Sequence, residues 1–495
     1  MNYGELLRLA APETIVAVAA FVVLGVDLWL ARSQPLRQRM HLAVALGVLG
    51  CVASFLWMFY FPAHERTLNG LLVVDPLTLL VKQALLVLSV FTLLIAFEAG
   101  FTEHAGEYVA ILLLATVGMM FLVSSEDILM IFVALELTSL SLYILTAFNK
   151  RNIYSAEAAL KYFLIGSMSA AFTLYGLSLI YGLSGATNLV QIAAKLKGQP
   201  ADPLLFAAIV MTVIGFGFKV AAVPFHLWAP DAYQGAPTPS AAFIASGSKV
   251  ASFFILAKVM MLGFAGAQGS GAWHGYVSGW LPVIAIIALL SMVLGNLAAI
   301  VQSSVKRLLA YSAIAHAGYA LLGLLANNST GLAALIYYIV TYALTIVGAF
   351  GVVALVEARA GDDALTTFAG LGRRAPGLAL CLMIFVLSLA GIPPLAGFFG
   401  KFYLFAAVLN SDAPRLGLLW LVIFAIAMSA VSLYYYLQLL KQVYVADAAP
   451  AAAPMQTPLL ARLAIGLLAL AVLILGCAPD LLLQKLIEAI RAAGW

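Results

Sequence analysis

The sequence predicts an all-α, polytopic membrane protein of about fourteen transmembrane helices, on three observations. Of its 495 residues, 64% are hydrophobic and 9% are charged, whereas a soluble domain carries roughly 25% charged residues, so a water-exposed globule of this length would lack polar surface to cover itself. The apolar residues come in runs of about twenty, the length one helix needs to cross the hydrocarbon core of a bilayer. The runs lack the ten-residue length and strict alternation of barrel strands, so of the two structures that close their backbone hydrogen bonds inside lipid only the helix fits. An ordinary soluble enzyme is excluded, and little chain is left for a soluble domain.

In order, the runs cover 12–31, 41–61, 71–97, 108–123, 127–148, 155–182, 204–228, 239–263, 280–300, 305–325, 331–357, 376–410, 416–441 and 458–477. The first lacks a basic leader and is followed by Arg32, Arg37 and Arg39, a stop-transfer pattern rather than a cleaved signal. Twelve cations lie at the ends that follow odd-numbered spans and seven at the opposite ends, which by the positive-inside rule puts both termini outside. The tail from Pro479 sets Leu481, Leu482, Leu486 and Ile490 against Gln484, Lys485, Glu488 and Arg491, the pattern of an amphipathic interfacial helix. The expected organisation is three N-terminal helices over 1–107, two halves over 108–263 and 280–441, and a last helix with its tail over 442–495. Cys51, Cys381 and Cys477 stand alone, without the spacing of a disulfide framework or metal site. No basic cluster with interleaved aromatics suggests nucleic acid. The Ala/Pro-rich loop 446–458 and the segment around 150–160 carry no nameable chemical motif.

Six lysines fall inside apolar runs: Lys82, Lys161, Lys219, Lys249, Lys258 and Lys401. An ionisable group at mid-depth costs at least about 2.5–3.5 kcal/mol on insertion scales, so each needs a reason. Lys258, near its helix end, is expected to snorkel to the interface. Lys161 follows Glu157 by four residues, and a local ion pair competes evenly with a buried transport role. Lys82 is left without an assignment. Glu136 lies about eight helical residues, roughly 12 Å, from the outer end of its run, too deep for a carboxylate to reach headgroups. Lys219 follows Gly215 and Gly217 and precedes Pro224, while Lys401 follows Pro393, Pro394, Gly397 and Gly400. A broken helix frees backbone groups that a bilayer tolerates only beside protein or a wet cavity, so lysines at two breaks point to a hydrated path. A buried amine whose carboxylate partner approaches and withdraws has a switchable affinity for protons, and Glu136 with Lys219 is the expected pair.

The breaks also expose a repeat. Gly215–Phe216–x–x–Lys219 and Gly397–Phe398–x–x–Lys401 share their spacing and lie in the seventh and twelfth spans. Five spans is an odd displacement, so units at spans 4–8 and 9–13 must be inverted in the membrane, as in many transporters.

The stretch from Lys219 through Val223–Pro224–Phe225–His226–Leu227–Trp228–Ala229–Pro230–Asp231 to Tyr233–Gln234–Gly235–Ala236–Pro237–Thr238–Pro239, and a second one, Ser304–Val305–Lys306–Arg307–Leu308–Leu309–Ala310–Tyr311–Ser312, resemble the antiporter-like membrane subunits of proton-pumping NADH:quinone oxidoreductase, respiratory complex I. The likeness runs over the whole chain, from Asp75–Pro76 to the broken twelfth span, and the Tyr-x-Gly-Ala-Pro-Thr-Pro wording with Lys249 resembles the subunit N branch. The resemblance implies that Glu136 and Lys219 form the charge pair of a first half-channel, that Lys249 is a central relay and that Lys401 ends the second half-channel. Lys161 matches a sixth-span lysine near the pair. His226 is read equally as a hydrogen-bonded cap of the break and as a proton relay. His316 either extends the central path or packs neutral, and Lys306 is read as an end anchor or as part of the path.

No Gly-rich nucleotide loop, Cys₄ set or soluble domain is visible. NADH, flavin, iron–sulfur clusters and quinone are therefore expected in partner subunits, with no cofactor or metal in this chain. The expected setting is the bacterial inner membrane, beside other membrane-arm subunits, lipids and protons and without nucleic acid. Three other readings remain at this point: a cation/proton antiporter subunit of the same superfamily, a passive structural subunit, and a quinone-reducing enzyme.

Overall fold

The computed structural model describes residues 3–60, 65–67, 70–97, 100–197, 203–412, 415–447, 455 and 457–495. Most of the 446–458 loop lies outside them. Twelve helices among the described residues are long and apolar enough to span a membrane: α1 (Ala11–Leu30), α2 (Leu36–Tyr60), α3 (Pro76–Ala96), α4 (Ala105–Ser124), α5 (Ile128–Thr146), α6 (Ile153–Ser184), α8 (Thr238–Gly263), α9 (Trp280–Ile300), α10 (Val305–Leu325), α11 (Ser329–Ala360), α13 (Leu419–Tyr444) and α14 (Leu459–Cys477). The other two are broken. Span α7 runs as Pro203–Lys219, an irregular turn, and Trp228–Gly235. Span α12 runs as Pro376–Ala390 and Ala396–Ser411. The all-α expectation is met, with one addition: Glu65–Thr67 and Leu72–Val74 pair as a short antiparallel hairpin.

The sequence caps these helices locally. The Asp127 carboxylate accepts the amides of Leu129 and Met130 at 3.0 and 3.2 Å at the start of α5. Ser304 Oγ accepts that of Arg307 at 3.1 Å at the start of α10. Each satisfies donors that a helix N-terminus leaves without partners. Helices α6 and α11 are 32 residues each and end in a left-handed glycine, Gly185 at φ 66° and Gly361 at φ 82°, a conformation that costs a side chain-bearing residue energy.

These paired features repeat in detail. Beyond Gly185 the chain bridges back to the start of α5, with Ile128 N donating to Thr187 O at 2.9 Å and Leu189 N to Glu126 O at 2.8 Å. Beyond Gly361 it bridges back to the start of α10, with Val305 N donating to Asp363 O and Leu365 N to Ser303 O, both at 2.8 Å. The bridges Asp127–Asn188 and Ser304–Ala364 are both antiparallel. Since α5 and α10 are five crossings apart, the two bridges lie on opposite faces of the membrane, which is the inverted repeat read at atomic contacts.

Helices α8, α10 and α11 form the centre, their most apolar windows 100%, 94% and 83% buried, and α8 is itself broken at Ser246, three residues before Lys249. Helix α15 (Asp480–Ala492) buries Leu486, Ala489 and Ile490 against α11 and α3. The tail expected to lie in the interface thus docks on protein along one face.

Candidate functional site

The break in α7 presents Lys219. Its ammonium donates to Ser139 Oγ, which in turn donates to the Leu135 carbonyl. Glu136, one turn before Ser139 on α5, acts on that ammonium electrostatically but makes no ion pair with it within 4.0 Å, so the expected Glu136–Lys219 contact is not formed and the ammonium rests on Ser139. The freed backbone has other partners: Trp228 Nε1 donates to Phe218 O at 3.1 Å, and Val223 N donates to Ser291 Oγ of α9 at 2.9 Å. His226 lies in the turn, where its carbonyl accepts Ala229 N at 2.9 Å, but its buried Nδ1 has no hydrogen-bond partner. The imidazole instead hydrogen-bonds the backbone of Pro224, inside the break.

The break in α12 is built differently. Lys401 is 4% exposed and donates to Leu389 O and Ala390 O, both at 3.0 Å, and to Ser429 Oγ at 2.9 Å. The first two are carbonyls that the interrupted helix leaves open. The ammonium also stands 5.0 Å from the centre of the Tyr319 ring, a cation–π distance.

Between them, Lys249 on α8 donates to Ala313 O of α10 at 2.6 Å. One turn further along α10, His316 connects through Nδ1 to Tyr338 Oη at 2.6 Å and through Nε2 to Tyr436 Oη at 3.2 Å. Tyr436 Oη lies 2.5 Å from Ser312 Oγ. Lys249 and Lys401 are both near enough to act electrostatically on His316, so the histidine occupies the interval between the two lysines. Relative to the bridges, His316 stands in α10 where Ser139 stands in α5: each follows its bridge residue, Ser304 or Asp127, by the same interval.

Lys306 and Lys161 belong to a cavity of about 1090 Å³ on the face where α6 and α10 begin. Lys306, 4% exposed, pairs with Glu357 at 2.6 Å, and Thr238 donates to the same carboxylate. Lys161 binds both Glu157 at 2.7 Å and Asp231 at 2.8 Å, with its side chain 45% exposed. It sits at the mouth of the cavity, and its local pair exists alongside a second carboxylate from across the α7 break. Arg307 holds the other oxygen of Asp231 at 2.7 Å.

Lys258 departs from expectation. It is 1% exposed and donates to Val123 O at 3.0 Å, 4.0 Å from Glu126, so it turns inward rather than snorkelling. The roles of Ser139, Tyr338, Tyr436 and Glu357 carry no sequence signal, since serines, tyrosines and helix-end glutamates are common in spans; only the helical register of Ser139 beside Glu136 could have marked one of them.

Residues 125–429 match the family described as NADH:quinone oxidoreductase/Mrp antiporter, transmembrane. The NADH-quinone oxidoreductase subunit N 2 of Acidobacterium capsulatum is 54% identical, over 98% of this chain and 99% of its own. In respiratory complex I of Thermus thermophilus, a chain 34% identical superposes with a TM-score of 0.77 over 96% of this chain and 99% of that one. The Mrp complex of Dietzia shares the fold at 21% identity and a TM-score of 0.82, over 98% of this chain and 97% of that one. With helices, breaks and relatives in agreement over nearly its full length, the chain belongs to the antiporter-like membrane subunits of NADH:quinone oxidoreductase, in the subunit N branch.

Proposed function

We propose that this chain moves protons across the membrane as a non-redox subunit of NADH:quinone oxidoreductase, through Glu136, Lys219, Lys249, His316 and Lys401. The observation that supports this most is that lysines at two repeat-related helix breaks flank a central lysine and histidine inside an otherwise apolar bundle. Residues 108–263 and 280–441 act as two half-channels. Lys306, Glu357 and Lys161 line the cavity through which the path meets water on the cytoplasmic side, with both termini on the outer side of a bacterial inner membrane. Electron transfer and its cofactors reside in partner subunits.

The chemistry needs only proton exchange. Lys219 gives up one N–H proton toward the centre and regains one from the cavity side, while movement of Glu136 toward or away from it sets which state is favoured. Ser139 can accept from the ammonium or donate to the free amine, so it serves both states. Lifting a proton against about 150 mV costs roughly 3.5 kcal/mol at 2.3 kcal/mol per 100 mV, within reach of making or breaking a buried charge contact. The antiporter reading shares the fold, and no residue-level observation favours it.

Lys219→Ala tests the proposal. NADH-driven proton uptake by membranes should be lost while NADH oxidation by an artificial acceptor, which reports assembly, persists; uptake at the wild-type level would sink it.

A further inference from the structure

A second group of buried charges lies outside the path described above. Glu13 of α1 and Lys82 of α3 meet at 2.6 Å with both side chains fully buried. Glu126 and Lys258 are 2% and 1% exposed and stand 4.0 Å apart. The two pairs are neighbours along one short stretch at the end of α4: Val123 O accepts Lys258 Nζ at 3.0 Å, and Ser124 Oγ donates to Glu13 Oε1 at 3.4 Å. Glu126 follows two residues later and also caps the bridge beyond α6, its carbonyl accepting Leu189 N.

Bracing alone is a weak reason for this cluster. Buried ion pairs lose about as much in desolvation as they gain in attraction, and apolar residues of equal volume hold helices together as well or better. Within a membrane, ionisable groups of this kind mark ion or proton pathways. One oxygen of the pair, Glu13 Oε2, is buried without a hydrogen-bond partner, as is Thr78 Oγ1 one turn before Lys82, so the site has unused capacity to hold a proton.

Its position ties it to the central lysine. Lys258 shares α8 with Lys249, nine residues and roughly 13 Å further along the axis at 1.5 Å per residue. Helices α3 and α4 both pack on α8. Helix α4 runs parallel to α8 and α3 antiparallel to it, so stepping eight residues back from Ser124 and seven forward from Lys82 reaches the level of Lys249 on both. There Ser89 Oγ and Thr116 Oγ1 are 2.9 Å apart. The α3–α4–α8 seam thus carries polar groups at the depth of Lys249 and charges at its far end, on the face opposite the Lys306–Glu357 cavity.

We propose that Glu13, Lys82, Glu126 and Lys258 form a second buried acid–base site, a branch from Lys249 beside the one through His316 and Lys401, through which part of the protons are released at the face opposite the cavity. Within the Glu13–Lys82 contact the transfer is balanced: an N–H bond of the ammonium breaks, an O–H bond forms on the carboxylate, and the pair goes from two charges to none without change in net charge. Glu13 then releases that proton to the face opposite the cavity, Lys82 takes one from Lys258, and Lys258 takes one from the Lys249 side, so each group ends in the state it began. This rests on the proton-translocating reading above.

The test uses membranes holding the assembled oxidoreductase, comparing Lys219→Ala with the double variant Glu13→Gln/Lys82→Met, which removes both charges and preserves shape. The expected result is wild-type NADH oxidation by an artificial acceptor and a proton-to-electron ratio lowered below that of the wild type. If Lys219→Ala lowers the ratio and the double variant leaves it unchanged, the release site is overturned and the function stands; if Lys219→Ala itself pumps normally, the function fails first. Should the double variant not assemble, Glu126→Gln/Lys258→Met decides in its place. A normal ratio there, or failure of both to assemble, identifies a structural brace and overturns the proposal.

Discussion

Two of the broken helices, α7 and α12, share a sequence pattern and differ in what closes the break. In α7 the indole of Trp228 and the hydroxyl of Ser291 take the freed backbone groups, leaving the Lys219 ammonium to a single serine. In α12 the lysine itself does the closing: an ammonium has three N–H donors and no acceptor, and Lys401 meets Leu389 O, Ala390 O and Ser429 Oγ. Losing a proton therefore means different things at the two sites. At Lys219 the partner hydroxyl can turn from acceptor to donor and the helix need not move. At Lys401 a neutral amine keeps two N–H donors for its two carbonyls and can accept from Ser429 Oγ through its lone pair, but in both states the side chain must stay in place to satisfy backbone carbonyls of the break. Of the two halves, the second ties its titrating side chain to the backbone of the break.

The largest expected separation between them is in stability. Lys401→Met leaves Leu389 O without a donor and Ala390 O with only a long bond from Ser429 Oγ at 3.5 Å; a buried carbonyl without a donor costs about 1–3 kcal/mol, so the solubilised complex should melt several degrees lower. Lys219→Met leaves Ser139 bonded to Leu135 O and should cost about 1 kcal/mol or less, while abolishing pumping. Equal melting temperatures for the two variants would show that the lysines play the same structural part. A smaller contrast is expected in transport at the repeat-related positions. His316→Phe removes the connection to Tyr338 and Tyr436 and should reduce the proton-to-electron ratio strongly, whereas Ser139→Ala leaves Glu136 acting on Lys219 and should reduce it only several-fold. A milder effect for His316→Phe than for Ser139→Ala would reverse this ranking.

Much of the fold was legible because a bilayer enforces it: no other periodicity closes the backbone of these runs, and Pro224 and Pro393–Pro394 marked the breaks. The inverted repeat was legible from one five-residue match, and the backbone bridges at Asp127–Asn188 and Ser304–Ala364 extend it far from the lysines that revealed it. The break of α8 at Ser246 was not legible, since no proline or double glycine announces it. Nor were the partners of the lysines. Whether Lys82 faces Glu13, or Lys258 turns inward to Val123 O, depends on how α1, α3, α4 and α8 are rotated against one another, which apolar composition leaves undetermined when every face of a helix is hydrophobic.

Packing around the first break supplies a further contrast. Gly166 of α6 faces Tyr143 of α5 so closely that a Cβ there would stand 2.0 Å from Tyr143 Oη and 3.0 Å from the Phe218 ring. Gly166→Ala must push Tyr143, which packs edge-on against Tyr162, and should destabilise by about 1–3 kcal/mol, the usual cost of overpacking. It should also shift the α5 segment that carries Ser139, lowering pumping more than Gly182→Ala, where a Cβ meets nothing within 4 Å. Equal pumping in the two alanine variants would mean that α5 and α6 can part here without disturbing Lys219.

The smallest effect is expected at Lys161. Its two carboxylate partners come from its own helix and from the far side of the α7 break, yet its side chain is nearly half exposed, and exposed ion pairs contribute about 0–1 kcal/mol. Asp231 keeps Arg307 when Lys161 is removed, so the link from α7 to α10 survives. Lys161→Ala should therefore leave melting within about 1 kcal/mol of wild type and slow proton uptake without abolishing it, an effect that shrinks as salt screens the cavity mouth. If Lys161→Ala instead abolished pumping as Lys219→Ala is expected to do, the mouth and the break would have to work as one unit, with Asp231 carrying the coupling between them.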